Sequence, residues 1–70
     1  MNKQVTQFLS QNEIADRIMW CSNSLSRNAY SYALKNFIWA PDKGIVYPVT
    51  WEFYDESSYL LYFLTWVDSA

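Results

Sequence analysis

Histidine is absent from this chain, and cysteine and glycine occur once each, as Cys21 and Gly44. Those absences remove most catalytic chemistries. Without histidine there is no Cys-His nucleophile pair, no Ser-His-Asp set and no ordinary zinc site. A single glycine leaves no glycine-rich loop to wrap a phosphate. A single cysteine excludes a disulfide within the chain, and no apolar leader follows Met1, so a reducing, cytoplasmic setting is expected. The adjacent carboxylates Asp55 and Glu56 fall in a predicted turn, where a solvated cap is the expected role rather than an acid and base pair. The chain reads as no enzyme, with no cofactor and no metal.

Basic charge is also scarce. The five lysines and arginines all lie in the first 43 residues (Lys3, Arg17, Arg27, Lys35, Lys43), against Glu13, Asp16 and Asp42. The remainder holds Glu52, Asp55, Glu56 and Asp68 and no base, so the C-terminal part is acidic. Neither part has the dense positive footprint of a strong phosphate binder. The longest apolar run, Tyr59 to Leu64, is far short of the roughly 20 residues that cross a bilayer, and no membrane contact is expected. There are no internal repeats and no low-complexity tracts.

What the chain has in excess is aromatic surface: four Trp, six Tyr and four Phe in 70 residues. A domain this small has little interior, so some of these rings are expected to be exposed or shared with another chain. They concentrate in Ile45 to Val67, where two apolar runs flank the polar gap Asp55 to Ser58. That arrangement predicts a β-hairpin with Tyr54 opposite Tyr59 and Trp51 opposite Tyr62. Alternation then puts Ile45, Tyr47, Val49, Trp51, Phe53, Leu60, Tyr62, Leu64 and Trp66 on a buried face. The other face would carry Val46, Glu52, Tyr54, Tyr59, Leu61, Phe63 and Val67, and is expected to bind a partner protein or a second copy of the chain. One alternative stays open: Tyr59 to Trp66 as a helix capped by Ser57 or Ser58.

Upstream, Met1 to Leu9 reads as a polar lead-in. Ser10 followed by Glu13 is a capping box, and it predicts a helix from Gln11 to about Trp20 with Ile14, Ala15 and Ile18 buried. A second helix is expected from Ser24 to Lys35, on the spacing of Leu25, Ala29, Tyr32 and Ala33. Phe37 to Trp39, ahead of Pro41-Asp42-Lys43-Gly44, reads as a strand entering a type I turn with a glycine bulge, or as an extension of that second helix. Pro48 has no amide hydrogen and disfavours a fully paired central strand, unless its neighbour has already ended there. The expected fold is a single α+β domain, with two helices packed on one face of a small antiparallel β-meander of two or three strands. Residues 1–9 form the lead-in, 10–35 the helical pair and 36–70 the meander.

Gln11, Ile14 to Ile18, Ser22, Leu25 and Ser26-Arg27 fall at the spacing of a helix-turn-helix, and this stretch of 11–29 resembles that family of DNA-binding regulators. Met19 stands where the family has its turn glycine. The resemblance implies a second helix in the major groove, with Ser22, Asn23, Ser24 and Arg27 at bases or phosphates. Against nucleic acid as the partner stands the acidic surround of the exposed aromatics, since stacking sites pair their rings with a positive groove. Tyrosine- and tryptophan-rich surfaces suit protein recognition. In general character the chain resembles the small accessory proteins of phages and mobile elements that inhibit or modulate a host protein or defence complex, and that function is the leading expectation.

Overall fold

The structure is a computed structural model and describes residues 2–67. Met1 and the stretch from Asp68 to Ala70, the ends of the expected lead-in and meander, lie outside the described residues. The chain runs β1 (Lys3–Leu9), α1 (Gln11–Ser24), β2 (Tyr30–Leu34), β3 (Ile38–Ala40), β4 (Gly44–Phe53) and α2 (Glu56–Trp66). The fold is α+β with an antiparallel sheet, as expected, but the sheet has four strands and its elements are distributed differently.

β4 is the centre. β1 pairs along one of its edges, from Lys3 opposite Phe53 to Leu9 opposite Tyr47. β2 pairs along the other, from Tyr30 opposite Phe53 to Leu34 opposite Val49. β1 and β2 therefore run in the same direction with β4 between them, and α1 makes the crossover of a split β-α-β unit. The lead-in is thus a strand. Its pattern is muted because the core-facing positions include Gln7, which is held by Tyr62.

β3 continues the β2 edge after one irregularity. Leu34 faces Val49 and Ile38 faces Val46, so Lys35, Asn36 and Phe37 lie opposite only Tyr47 and Pro48. Three residues against two is a one-residue bulge. The Lys35 amide donates to the Pro48 carbonyl at 3.0 Å, so Pro48 turns its polar groups, including the nitrogen that carries no hydrogen, toward this bulge. A central strand tolerates its proline because the neighbouring ladder is broken there. The turn after β3 has the expected form. Lys43 donates to the Ala40 carbonyl at 3.2 Å across Pro41 and Asp42, and Gly44 follows with φ +82°, the conformation that favours glycine.

The first helix starts where its capping box places it. Ser10 Oγ accepts from the Glu13 amide at 3.3 Å, and the Ser10 amide donates to Glu13 Oε1 at 2.9 Å. It runs a turn beyond Trp20 because the buried stripe continues through Cys21, which is fully enclosed. The expected second helix does not form. Ser26 to Ala29 make a tight turn, and Tyr30-Ser31-Tyr32-Ala33-Leu34 alternates large and small residues at the period of a strand.

The expected hairpin partner of β4 is a helix. Asp55 caps α2, with its carboxylate accepting from the Ser58 amide at 3.0 Å and the Ser58 hydroxyl at 2.8 Å. Within Glu56–Trp66 only Thr65 is β-branched, and leucine is a strong helix former, so helix propensity prevails. The core gathers Leu9, Val49, Trp51 and Phe53 from the sheet with Ile14 and Cys21 of α1 and Tyr62 of α2. Tyr62 lies against both Trp51 and Phe53, each ring pair 5.1 Å between centroids. Trp20 meets Tyr62 and Trp66 edge-on, and the Arg17 guanidinium sits 4.4 Å over the Trp66 ring, joining the two helices.

Candidate functional site

α2 is apolar around its whole circumference. One side, Ser58, Tyr59, Tyr62 and Trp66, packs inward. The opposite side carries Leu60, Leu61 and Leu64, exposed at 46, 52 and 59%, with Val67 beyond them. Helical periodicity gathers these leucines into one stripe, and no charged residue follows Glu56 within the helix. A surface helix ordinarily keeps its outer face polar, so this stripe has the character of half an interface.

Of the expected partner-binding residues, the structure brings together Leu61 and Val67 on this stripe, with half-buried Phe63 at its border stacked on Tyr59. It separates the rest. Tyr59 packs edge-on against Phe53, with Lys3 over its ring. Tyr54 is exposed past the end of β4, its hydroxyl 2.7 Å from Ser31 Oγ. Glu52 accepts from Asn2 at 3.0 Å on the polar side of the sheet, beside the Thr6 and Thr50 pair. Val46 is buried and not available to a partner. These residues share one surface only if Tyr59 to Val67 is a strand. Its being a helix also exposes Leu60 and Leu64, which the hairpin would bury.

A second open region lies on the other flank, where α1 does not cover β2. Tyr32, Leu34 and Phe37 are exposed there although Tyr32 and Leu34 stand opposite the buried Trp51 and Val49. Two clefts result. One, of about 430 Å³, is lined by Ile18, Ser22, Leu25, Arg27, Tyr30 and Tyr32. The other, of about 260 Å³, is lined by Gln11, Ile14, Leu34 and Tyr47.

The residues of the helix-turn-helix resemblance are placed differently from that motif. Ser22, Asn23 and Ser24 are the exposed last turn of α1, and Arg27 lies in the turn before β2. Where the motif has its second helix, this chain has the last turn of α1 and the tight turn of Ser26 to Ala29.

Capping contacts and burial shift a few of the titratable groups. Glu13 is held below its ordinary value by the Ser10 amide. Asp55 is held low by the hydroxyl and amide of Ser58. Burial pushes the Cys21 thiol up to about 12 and raises the Tyr62 phenol. Burial also raises Tyr30, opposed by nearby Arg27. Among the described residues no group of acidic, histidine or cysteine side chains has the arrangement of a metal site. No helix among them is long and apolar enough to cross a membrane. Comparison with known proteins gives no matching family, no matching curated protein and no matching solved structure.

Proposed function

We propose that this domain is a non-enzymatic protein-protein interaction module, and that its partner seats on the outer face of α2. The observation that carries the reading is the leucine stripe Leu60, Leu61 and Leu64, uncharged and exposed on a helix whose other side completes the core. Large apolar side chains on a preformed helix bury area at low ordering cost, the helix-in-groove mode of recognition. Phe63 and Val67 border the contact, and Tyr59, Tyr54 and Glu52 lie apart from it. By its small size, and by analogy of general character, the module belongs with phage-type inhibitors or modulators of a host protein or defence complex, acting in a reducing cytoplasm where Cys21 stays a free thiol.

The test is capture from the source cell by the tagged chain, with nuclease and moderate salt in one arm, compared with Leu61→Gln/Leu64→Gln. Glutamine keeps helix propensity, and both sites are exposed, so the variant folds. A host protein retained by the parent through both treatments and lost with the variant supports the reading. Equal capture by the two proteins removes α2 as the docking face. Retention only through nucleic acid, weakening steeply with salt, would move the function to DNA binding.

A further inference from the structure

The β2 edge is left without a pairing strand among the described residues. Two hydrogen bonds fix the orientation of that edge. Tyr54 donates to the Ala29 carbonyl at 2.9 Å and Lys35 donates to the Pro48 carbonyl, so Ala29, Ser31, Ala33 and Lys35 aim their main-chain groups at β4. In an antiparallel strand these directions alternate. Tyr30, Tyr32 and Leu34 therefore aim their amides and carbonyls outward, and among the described residues nothing pairs with them. The same three residues carry the side chains that wall the two clefts beneath α1. A strand added along β2 would bond to their backbone and lower every second side chain into the clefts.

Charge selects the occupant. Arg27 walls the cleft at the Tyr30 end and Lys35 follows Leu34 at the other, and neither makes an ion pair among the described residues. The α1 residues facing the clefts, Gln11, Ile14, Ile18 and Ser22, are uncharged, as is Leu25 just past the helix end. We propose that the β2 edge binds an extended segment of a partner protein with apolar residues at alternate positions and acidic residues at its ends. A second copy of this chain fits poorly. Two-fold antiparallel pairing of β2 with itself sets the Arg27 end of each copy against the Lys35 end of the other, and like charges disfavour it.

The experiment is titration of the isotope-labelled chain with a short capped peptide, valine alternating with threonine and glutamates at both ends, followed by amide NMR. The expected result is shifts and slowed exchange at Tyr30, Tyr32 and Leu34. A lysine-ended peptide should bind at least about fivefold more weakly, the effect of two exposed charge pairs. Leu34→Pro removes one outward donor and no bond to β4, so it should fold and lose the shifts. Should that variant unfold, Arg27→Glu/Lys35→Glu serves instead and should reverse the preference toward the lysine-ended peptide. Shifts confined to α2, equal binding of both peptides, or edge amides already protected in a peptide-free dimer would each overturn the proposal. No shift at millimolar peptide would also overturn it, leaving Lys35 and the bulge as simple protection of an edge.

Discussion

The Tyr62 hydroxyl donates to Gln7 Oε1 at 2.6 Å, tying the middle of α2 to the middle of β1 inside the core. Gln7 in turn donates from Nε2 to the Trp66 carbonyl at 3.3 Å. One polar side chain thus serves both the centre and the last turn of α2. Tyr62→Phe keeps the ring contacts and orphans the Gln7 oxygen, a loss of about 1 kcal/mol in urea unfolding. Tyr62→Ala also opens a cavity between Trp51, Phe53 and Trp20, and the loss should reach about 4 kcal/mol. Equal effects from the two substitutions would mean that packing around the ring contributes little.

Ser10→Ala should destabilise the fold by about 1 kcal/mol, because the Glu13 amide in the first turn of α1 loses its Ser10 Oγ acceptor. The pH dependence follows from the same contact. Glu13 and Asp55 both titrate lower in the folded chain than free, so their contribution is complete above the ordinary carboxylate value and is lost as pH falls through the folded one. Denaturation midpoints should drop between neutral pH and about pH 3, and Glu13→Gln should flatten the curve. A midpoint that rises on acidification would contradict the capping assignment.

The Cys21 thiol is enclosed, and burial holds it almost entirely protonated at neutral pH. Alkylation in native buffer should therefore be limited by opening of the fold and accelerate with denaturant. Labelling at the rate of a free thiol would place Cys21 outside the core.

Gly44→Ala should lose about 1 kcal/mol from backbone strain alone, since a Cβ there would meet nothing closer than the Trp39 ring at 4.0 Å. Thermal unfolding checks this. An unchanged melting point would require the turn to have rearranged.

Val49→Ala and Leu64→Gln compare the two kinds of apolar position. The first, fully buried, should lose about 2 kcal/mol. The second, exposed, should stay within about 0.5 kcal/mol of the parent. A large loss at Leu64 would mean that α2 uses its outer face within the monomer.

What could be read from the residues divides by the range of the interactions involved. The Ser10 and Glu13 cap, the Pro41 to Gly44 turn and the strand of Ile38 and Trp39 depend on neighbours a few positions apart, and each stands where local chemistry puts it. β1 was hidden because its inward Gln7 is acceptable only beside Tyr62, 55 residues away. Tyr59 to Trp66 misleads because aromatic content imitates a strand. The better signals were Asp55 three residues before Ser58 and the near absence of β-branching. Tyr30 to Leu34 carried its alternation openly, yet Leu25, Ala29, Tyr32 and Ala33 also fit a helical period. The leucine stripe could not be located before α2 was known, because the same residues change sides with the period of the backbone.

The placement of β4 also governs the order in which the molecule can assemble. Its partners on both edges precede it in the chain, and β1 waits for residues 38 to 50 positions downstream. During synthesis α1 can coil early, but no part of the sheet can close until β4 has left the ribosome, and α2 must then cover Trp51 and Phe53. Until that moment a short chain rich in tryptophan and tyrosine travels with its stickiest surfaces bare. Its yield in the cell should therefore respond to chaperone supply and growth temperature more than its modest length implies.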